Sequence, residues 1–174
     1  HWMVHSFPTR RSSDLIFIGD SRTVGMKLYK YVRPENVYAL SGANHQGIQS
    51  ERFINLGDGK SLTIEEAIRA VKPKRAVLAF GINGIGFMNR TVFFDEYKTF
   101  IKKLKAASPD TVLIVQAILP VTQAYEDEHP NITNALIDEY NQELRSLALN
   151  NGCRFADVSS VLKDDNNCLN ADYS

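Results

Sequence analysis

Cysteine is scarce: Cys153 and Cys168 are the only two in 174 residues. Two thiols cannot make the framework of a disulfide-stapled domain, and neither stands in a Cys-x-x-Cys or Cys/His spacing that would hold zinc, so the sequence carries no metal signature. Both read as plain thiols rather than as a bridge. An excess of charge is missing as well, with 20 Lys and Arg against 20 Asp and Glu. The basic residues are scattered rather than striped, which removes the electrostatic footprint of a nucleic-acid or anionic-membrane binder. Long apolar runs are lacking too. The longest, Ala76 to Phe80 and Ile16 to Ile18 with their neighbours, fall far short of the roughly 20 residues that cross a bilayer. There is no internal repeat and no low-complexity tract. What remains, at 19.6 kDa and 44% hydrophobic residues, is enough chain for one globular domain.

The two ends differ from the rest. HWMVHSFPTRRSSDL has neither helical nor strand periodicity and lacks the apolar core of a signal peptide. Its stretch VHSFPTRRSSDL resembles a translated sequencing adapter, so residues 1–15 read as a non-native or disordered head and residues 16–174 as the domain. At the other end DDNNCLNADYS is polar, with no closing helix. The chain thus reads as a fragment at both ends, and a cytoplasmic or an exported location both stay open.

Between the ends, short apolar runs alternate with helical patterns. Leu15 to Ile18, Val37 to Leu40, Ala76 to Phe80 and Val112 to Val115 are continuous apolar stretches closed by Gly, Ser-Gly or Pro, and Cys153 to Val158 is a weaker fifth. Runs of this length suit strands buried on both faces of a parallel sheet. Thr63 and Glu66 form a capping box for a helix over Ile64 to Val71, which Pro73 prevents from continuing. Residues 94–107 place Phe94, Tyr97, Ile101 and Leu104 at helical spacing, and residues 133–150 do the same with Leu136, Ile137, Tyr140, Leu144 and Leu147 up to an Asn151-Gly152 stop. The fold class is therefore α/β: a three-layer α/β/α sandwich on a parallel five-stranded sheet, with flavodoxin-like order 2-1-3-4-5.

In such a sheet ligands bind beyond the carboxyl ends of the strands. The segments there are Gly19-Asp20-Ser21-Arg22, Ser41-Gly42-Ala43-Asn44 and Gly81-Ile82-Asn83-Gly84. Each combines glycine with small polar residues, a pattern that serves either a phosphate cradle or a nucleophile with oxyanion donors. The phosphate reading is weak, because no GxGxxG follows the first strand and no GxxxxGK[ST] occurs. For acyl transfer Ser21 supplies a hydroxyl at a strand-to-helix turn, and its own N–H, the N–H of Gly42 and the Asn83 amide supply donors. The plainer alternatives are Ser21 as a helix cap and Asn83 as a turn residue. Asp20 reads as structural, and Arg22 as a surface charge or a substrate-facing cation.

IFIGDSRTVGM, the glycine at 42, FGIN at 80–83 and the long helix before Cys153 together resemble the SGNH-hydrolase, or GDSL-esterase, superfamily over about residues 16–174. The resemblance implies a cofactor-free serine esterase with Ser21 as nucleophile and with Gly42 and Asn83 in the oxyanion hole, acting on a small ester such as an acetylated carbohydrate. Two departures stand out. Gly84 occupies the place of an Asp that usually follows the Asn, and the family's final Asp-x-x-His, which supplies the base and the residue orienting it, does not occur here. The implied reading is a chain truncated before that block and its final helix, inactive alone. His45 reads as an exposed loop histidine or a pocket-lining one, His129 as part of a solvated Thr122 to Asn131 loop, and neither as the base; Asp172 carries no catalytic role. Two rivals remain. One is a noncatalytic carbohydrate or polar-ligand binding module, and the other a flavodoxin-like nucleotide or response-regulator domain, for which Asp20 lacks the paired carboxylate.

Overall fold

The computed structural model describes residues 14–173, so nearly all of the anomalous head, residues 1–13, lies outside them together with Ser174. Leu15, at the boundary of that head, is already the first residue of a strand. The main sheet consists of β1 (Leu15–Gly19), β2 (Val37–Ala39), β5 (Arg75–Ala79), β6 (Val112–Gln116) and β7 (Arg154–Ala156), all parallel and in the order β2-β1-β5-β6-β7. Counted within this sheet, that is the expected 2-1-3-4-5. Between β2 and β5 a two-residue antiparallel pair, β3 (Ile54–Asn55) and β4 (Ser61–Leu62), encloses the Gly57-Asp58-Gly59 turn. Strands this short have no alternation to read, whereas the glycines, at φ 96° and 78°, do announce the turn.

The helices are α1 (Ser21–Leu28), α2 (Ile64–Val71), α3 (Ile82–Ile85), α4 (Arg90–Ala107), α5 (Gln123–Glu128) and α6 (Asn134–Asn150). From β1 the chain steps outward to β2 and then works across the sheet in the opposite direction. With right-handed crossovers this places α1 on one face and α2, α4 and α6 on the other. Burial follows the pleat. Ile16, Ile18, Ala76, Leu78, Leu113 and Val115 are at most 1% exposed beneath the three-helix layer, while Leu15, Phe17 and Ile114, which point to the α1 side, are half-buried.

Local chemistry explains the helix ends. Thr63 Oγ1 accepts from the Glu66 amide at 3.2 Å and Glu66 Oε2 accepts from the Thr63 amide at 3.0 Å, so the capping box is complete. In α4 the side chains of Phe93, Tyr97, Phe100, Ile101 and Leu104 are fully buried, each contributing about 1.5–3 kcal/mol relative to exposure. Lys105 reaches from α4 to the end of α6, where its Nζ donates to the carbonyls of Asn151 at 2.6 Å and Gly152 at 3.2 Å, placing a cation on a helix C-terminus. One expectation fails: the Thr122 to Asn131 segment is not simply a loop, because α5 forms within it. Thr122 caps it by accepting from the Tyr125 amide at 3.2 Å, and Gln123 pairs with Asp127. None of its residues is buried, so the apolar stripe that betrays a helix in sequence is missing.

Candidate functional site

The carboxyl ends of β1, β5 and β6 open into one cleft of about 470 Å³, within the range of small-ligand sites. Its wall includes Ser21, Arg22, Asn83, Ile118 and Tyr125. The first block reaches it through a tight strand-to-helix turn. A Cβ on Gly19 would fall 2.1 Å from Thr23 Oγ1 and 2.6 Å from the Ala79 carbonyl, so only glycine lets β1 end so close to β5. Asp20, not Ser21, is the N-cap of α1: its Oδ1 accepts from the Arg22 amide at 3.1 Å. Ser21 is thereby released from capping. It is exposed as the first residue of the helix, and its hydroxyl bonds to none of the described residues. Burial pushes the Asp20 carboxyl above the usual carboxylate range, against the opposing pull of the Arg22 amide and charge.

The second block is a turn closed by the Ala43 amide donating to the Leu40 carbonyl at 3.3 Å. Gly42 is its third residue, with φ 74°, as in a type II turn. Gly42 is exposed and stands outside the residues that line the cleft. The third block follows β5. A Cβ on Gly81 would fall 2.4 Å from Ile118 Cγ1, so the bare backbone packs against the end of β6. Asn83, in the single turn of α3, donates from Nδ2 to the Ala43 carbonyl at 2.9 Å. An amide nitrogen carries two hydrogens, so one remains beyond this bond. The structure thus brings Ser21 and Asn83 to one cleft, and joins Asn83 to the turn that carries Gly42.

Gly84 has a steric reason for its identity. A Cβ there would fall 2.7 Å from Phe93 Cε2 and 3.2 Å from His45 Cε1, so there is no room for the aspartate of the usual pattern.

His45 departs from its expected position. It is neither exposed in a loop nor in the cleft, but fully buried. Nε2 donates to the Phe93 carbonyl at 2.8 Å, and the ring lies 4.5 Å from Phe93 and 4.7 Å from Tyr97, centroid to centroid. That bond fixes the tautomer with a bare Nδ1, which has no partner. Burial lowers its pKa to about 4, with the Phe93 bond opposing, so the ring is neutral at neutral pH. Nothing in its sequence context distinguished it from a loop residue; the small residue at 84 that admits it is distant in sequence. His129 is exposed, donates from Nδ1 to the Tyr125 carbonyl at 3.1 Å and stacks on the Tyr125 ring at 4.2 Å. Tyr125 lines the cleft. Sequence reasoning passed over it inside a polar segment, although its spacing from His129 is that of stacked neighbours on a helix. Asp172 is exposed in a 3-10 turn, Ala171–Tyr173. Cys153 and Cys168 are free, buried thiols whose pKa values burial raises, which makes them poor nucleophiles. Among the described residues no cluster of His, Cys, Asp and Glu is arranged to hold a metal, and no helix is long and apolar enough to cross a membrane.

Comparison with solved structures finds the same fold at low identity. A Bacteroides thetaiotaomicron GDSL-like lipase superposes with a TM-score of 0.68 at 16% identity, over 96% of this chain and 79% of its own. A Streptococcus pneumonia protein provisionally described as a platelet activating factor gives 0.70 at 18% identity, over 96% and 76%. A carbohydrate esterase family 3 protein from Talaromyces cellulolyticus gives 0.59 at 16%, over 92% and 89%. No curated protein matches the sequence. The family model of the GDSL-like lipase/acylhydrolase family matches residues 17–174, nearly the whole chain, and the chain belongs to that family.

Proposed function

We propose that this chain carries the nucleophile and oxyanion half of a serine ester hydrolase, with Ser21 attacking the ester carbonyl. The supporting observation is that Ser21 and Asn83, from loops far apart in sequence, line one cleft at the carboxyl ends of the strands. Ser21 Oγ bonds to the carbonyl carbon as its proton passes to a base. The oxyanion accepts hydrogen bonds from the Ser21 amide and the free N–H of Asn83; Gly42, the third donor of the scheme, stands outside the described cleft lining and reaches the oxyanion only by a shift of its turn, to which Asn83 is bonded. Collapse expels the alcohol, which takes the proton, and water then releases the acyl group from Ser21. The substrate of this scheme is a small ester, such as acetyl on a carbohydrate.

The base is the missing part of this scheme. Of the described histidines, His45 is held by Phe93 and His129 lies against Tyr125. The Asp-x-x-His that supplies this base in the family does not occur in this sequence, so in this scheme turnover by the chain stays at what binding and the oxyanion donors supply. The same observation favours a second reading, a noncatalytic module that holds a polar ligand in the cleft.

Acetate release from an O-acetylated methyl glucoside separates the two readings. For the esterase, the chain alone is close to the uncatalysed rate, added imidazole raises it, and the increment disappears in Ser21→Ala. An imidazole response equal in wild type and Ser21→Ala would overturn the nucleophile assignment in favour of the binding module.

A further inference from the structure

Among the described residues that line the cleft, Arg22 is the one permanent cation, and it directly follows Ser21. It stands in the first turn of α1, where the helix presents its positive end, and the carboxyl of the N-cap Asp20 is the acidic group beside it.

Its own interactions do not account for it. The guanidinium forms no ion pair with a described residue. Its Nη1 and Nη2 both lie 3.5 Å from the Pro120 carbonyl, well beyond the 2.7–2.9 Å of a charge-assisted bond. Asp20 is the other charged residue in the lining, but its Oδ1 is occupied by the Arg22 backbone amide. Burial raises the Asp20 pKa and lowers that of Arg22, and the attraction between the two charges opposes both shifts. The five donors of a guanidinium fork are consequently almost unspent, beside Met26, Tyr125 and Leu162 in the same lining. Arg22 is exposed where it lines the cleft, so its guanidinium is open to solvent rather than spent on an internal partner, and an anion entering the cleft can reach it.

We propose that Arg22 receives an anionic group of the substrate, so that the ester taken by this cleft carries a carboxylate or phosphate near its acyl carbonyl. The nearness of the anion to the acyl carbonyl rests on the reading of Ser21 as nucleophile; the anion site itself does not. Ser21 and Arg22 line the same cleft of about 470 Å³, so the anion and the reacting carbonyl belong to one small ligand. Acetylated uronic acids and acetylated sugar phosphates are the fitting chemistry, and neutral acetylated hexoses are not.

The test is equilibrium binding, which needs no turnover. The chain is titrated calorimetrically with an O-acetylated methyl glucuronide, an O-acetylated hexose phosphate and the neutral O-acetylated methyl glucoside, and Arg22→Gln, Arg22→Lys and Ser21→Ala are compared with wild type. An anionic ligand binds at least about tenfold tighter than the neutral one, and added salt weakens that preference. Arg22→Gln removes the preference, Arg22→Lys keeps part of it, and the melting temperature reports whether each variant is folded. Which of the two anions wins identifies the source. Equal binding of all three ligands to wild type, or a preference that survives Arg22→Gln, overturns the proposal. So does a uniform loss for all three ligands in Arg22→Gln, which is the result if Arg22 only ties α1 to Pro120. Ser21→Ala retains the preference; if hydrolysis then proves independent of Ser21, the nucleophile reading fails while the anion site stands.

Discussion

His45 donates its Nε2 proton to the carbonyl of Phe93 across 2.8 Å, and in doing so pins the segment after Gly42 to the first turns of α4. The imidazole holds this place only while neutral, since a second proton on Nδ1 would have no acceptor in the aromatic surroundings.

That arrangement sets the sign of an acid response. The folded-state pKa is about 4, below the value of about 6.5 for an unfolded histidine. Above the unfolded value both states are neutral and His45 has no effect on the pH dependence. As pH falls from about 6.5 toward 4 the unfolded chain gains a proton that the folded chain refuses, and stability drops by up to about 3 kcal/mol. Urea unfolding at a series of pH values measures the slope. In His45→Gln the contribution of this group disappears and the curve flattens over the same window; a wild-type curve already flat there contradicts the assignment.

Gly84→Asp, which restores the usual family residue, is destabilising here. Its Cβ meets the Phe93 ring at 2.7 Å, and overpacking of this kind costs about 1–3 kcal/mol. Phe93→Leu in the same background returns part of the loss by vacating that space, a coupling seen as a non-additive double-mutant cycle. Additive effects would show that the clash is relieved by backbone movement elsewhere.

Ser21 and Asp20 separate in a stability measurement. Asp20→Ala removes the cap of α1 and costs about 1 kcal/mol. Ser21→Ala stays within about 0.5 kcal/mol of wild type, because its hydroxyl bonds to none of the described residues. A loss in Ser21→Ala as large as in Asp20→Ala would return serine to a capping role.

Thr63→Ala opens the capping box of α2 and lowers stability by about 1 kcal/mol. Chemical denaturation detects it, and Thr63→Ser, which keeps the acceptor, recovers most of the difference.

The sheet order and the three long helices were legible because each rests on a local signal: closed apolar runs for β1, β5 and β6, capping residues and aromatic stripes for α2, α4 and α6. The position of Ser21 and Asn83 beyond the strand ends, where they line one cleft, was legible in the same way. Three features were not legible. α5 buries nothing, so its helical period carries no hydrophobic trace. Capping by Asp20 rather than Ser21 turns on a one-residue difference in where the helix begins. His45 is buried by Phe93, Tyr97 and the bare Gly84, contacts between segments 39 to 52 residues away in sequence, which no local pattern encodes.

The bond from Asn83 to the Ala43 carbonyl makes two loops a single mechanical part. A longer or reshaped turn at 41–44 pulls the Asn83 amide with it, and a change in α3 shifts the turn in the same way. The consequence is for grafting and engineering. A loop taken from a relative is therefore transplanted together with its bonded partner, whereas Tyr125, which lines the same cleft without sharing this bond, can be changed by itself.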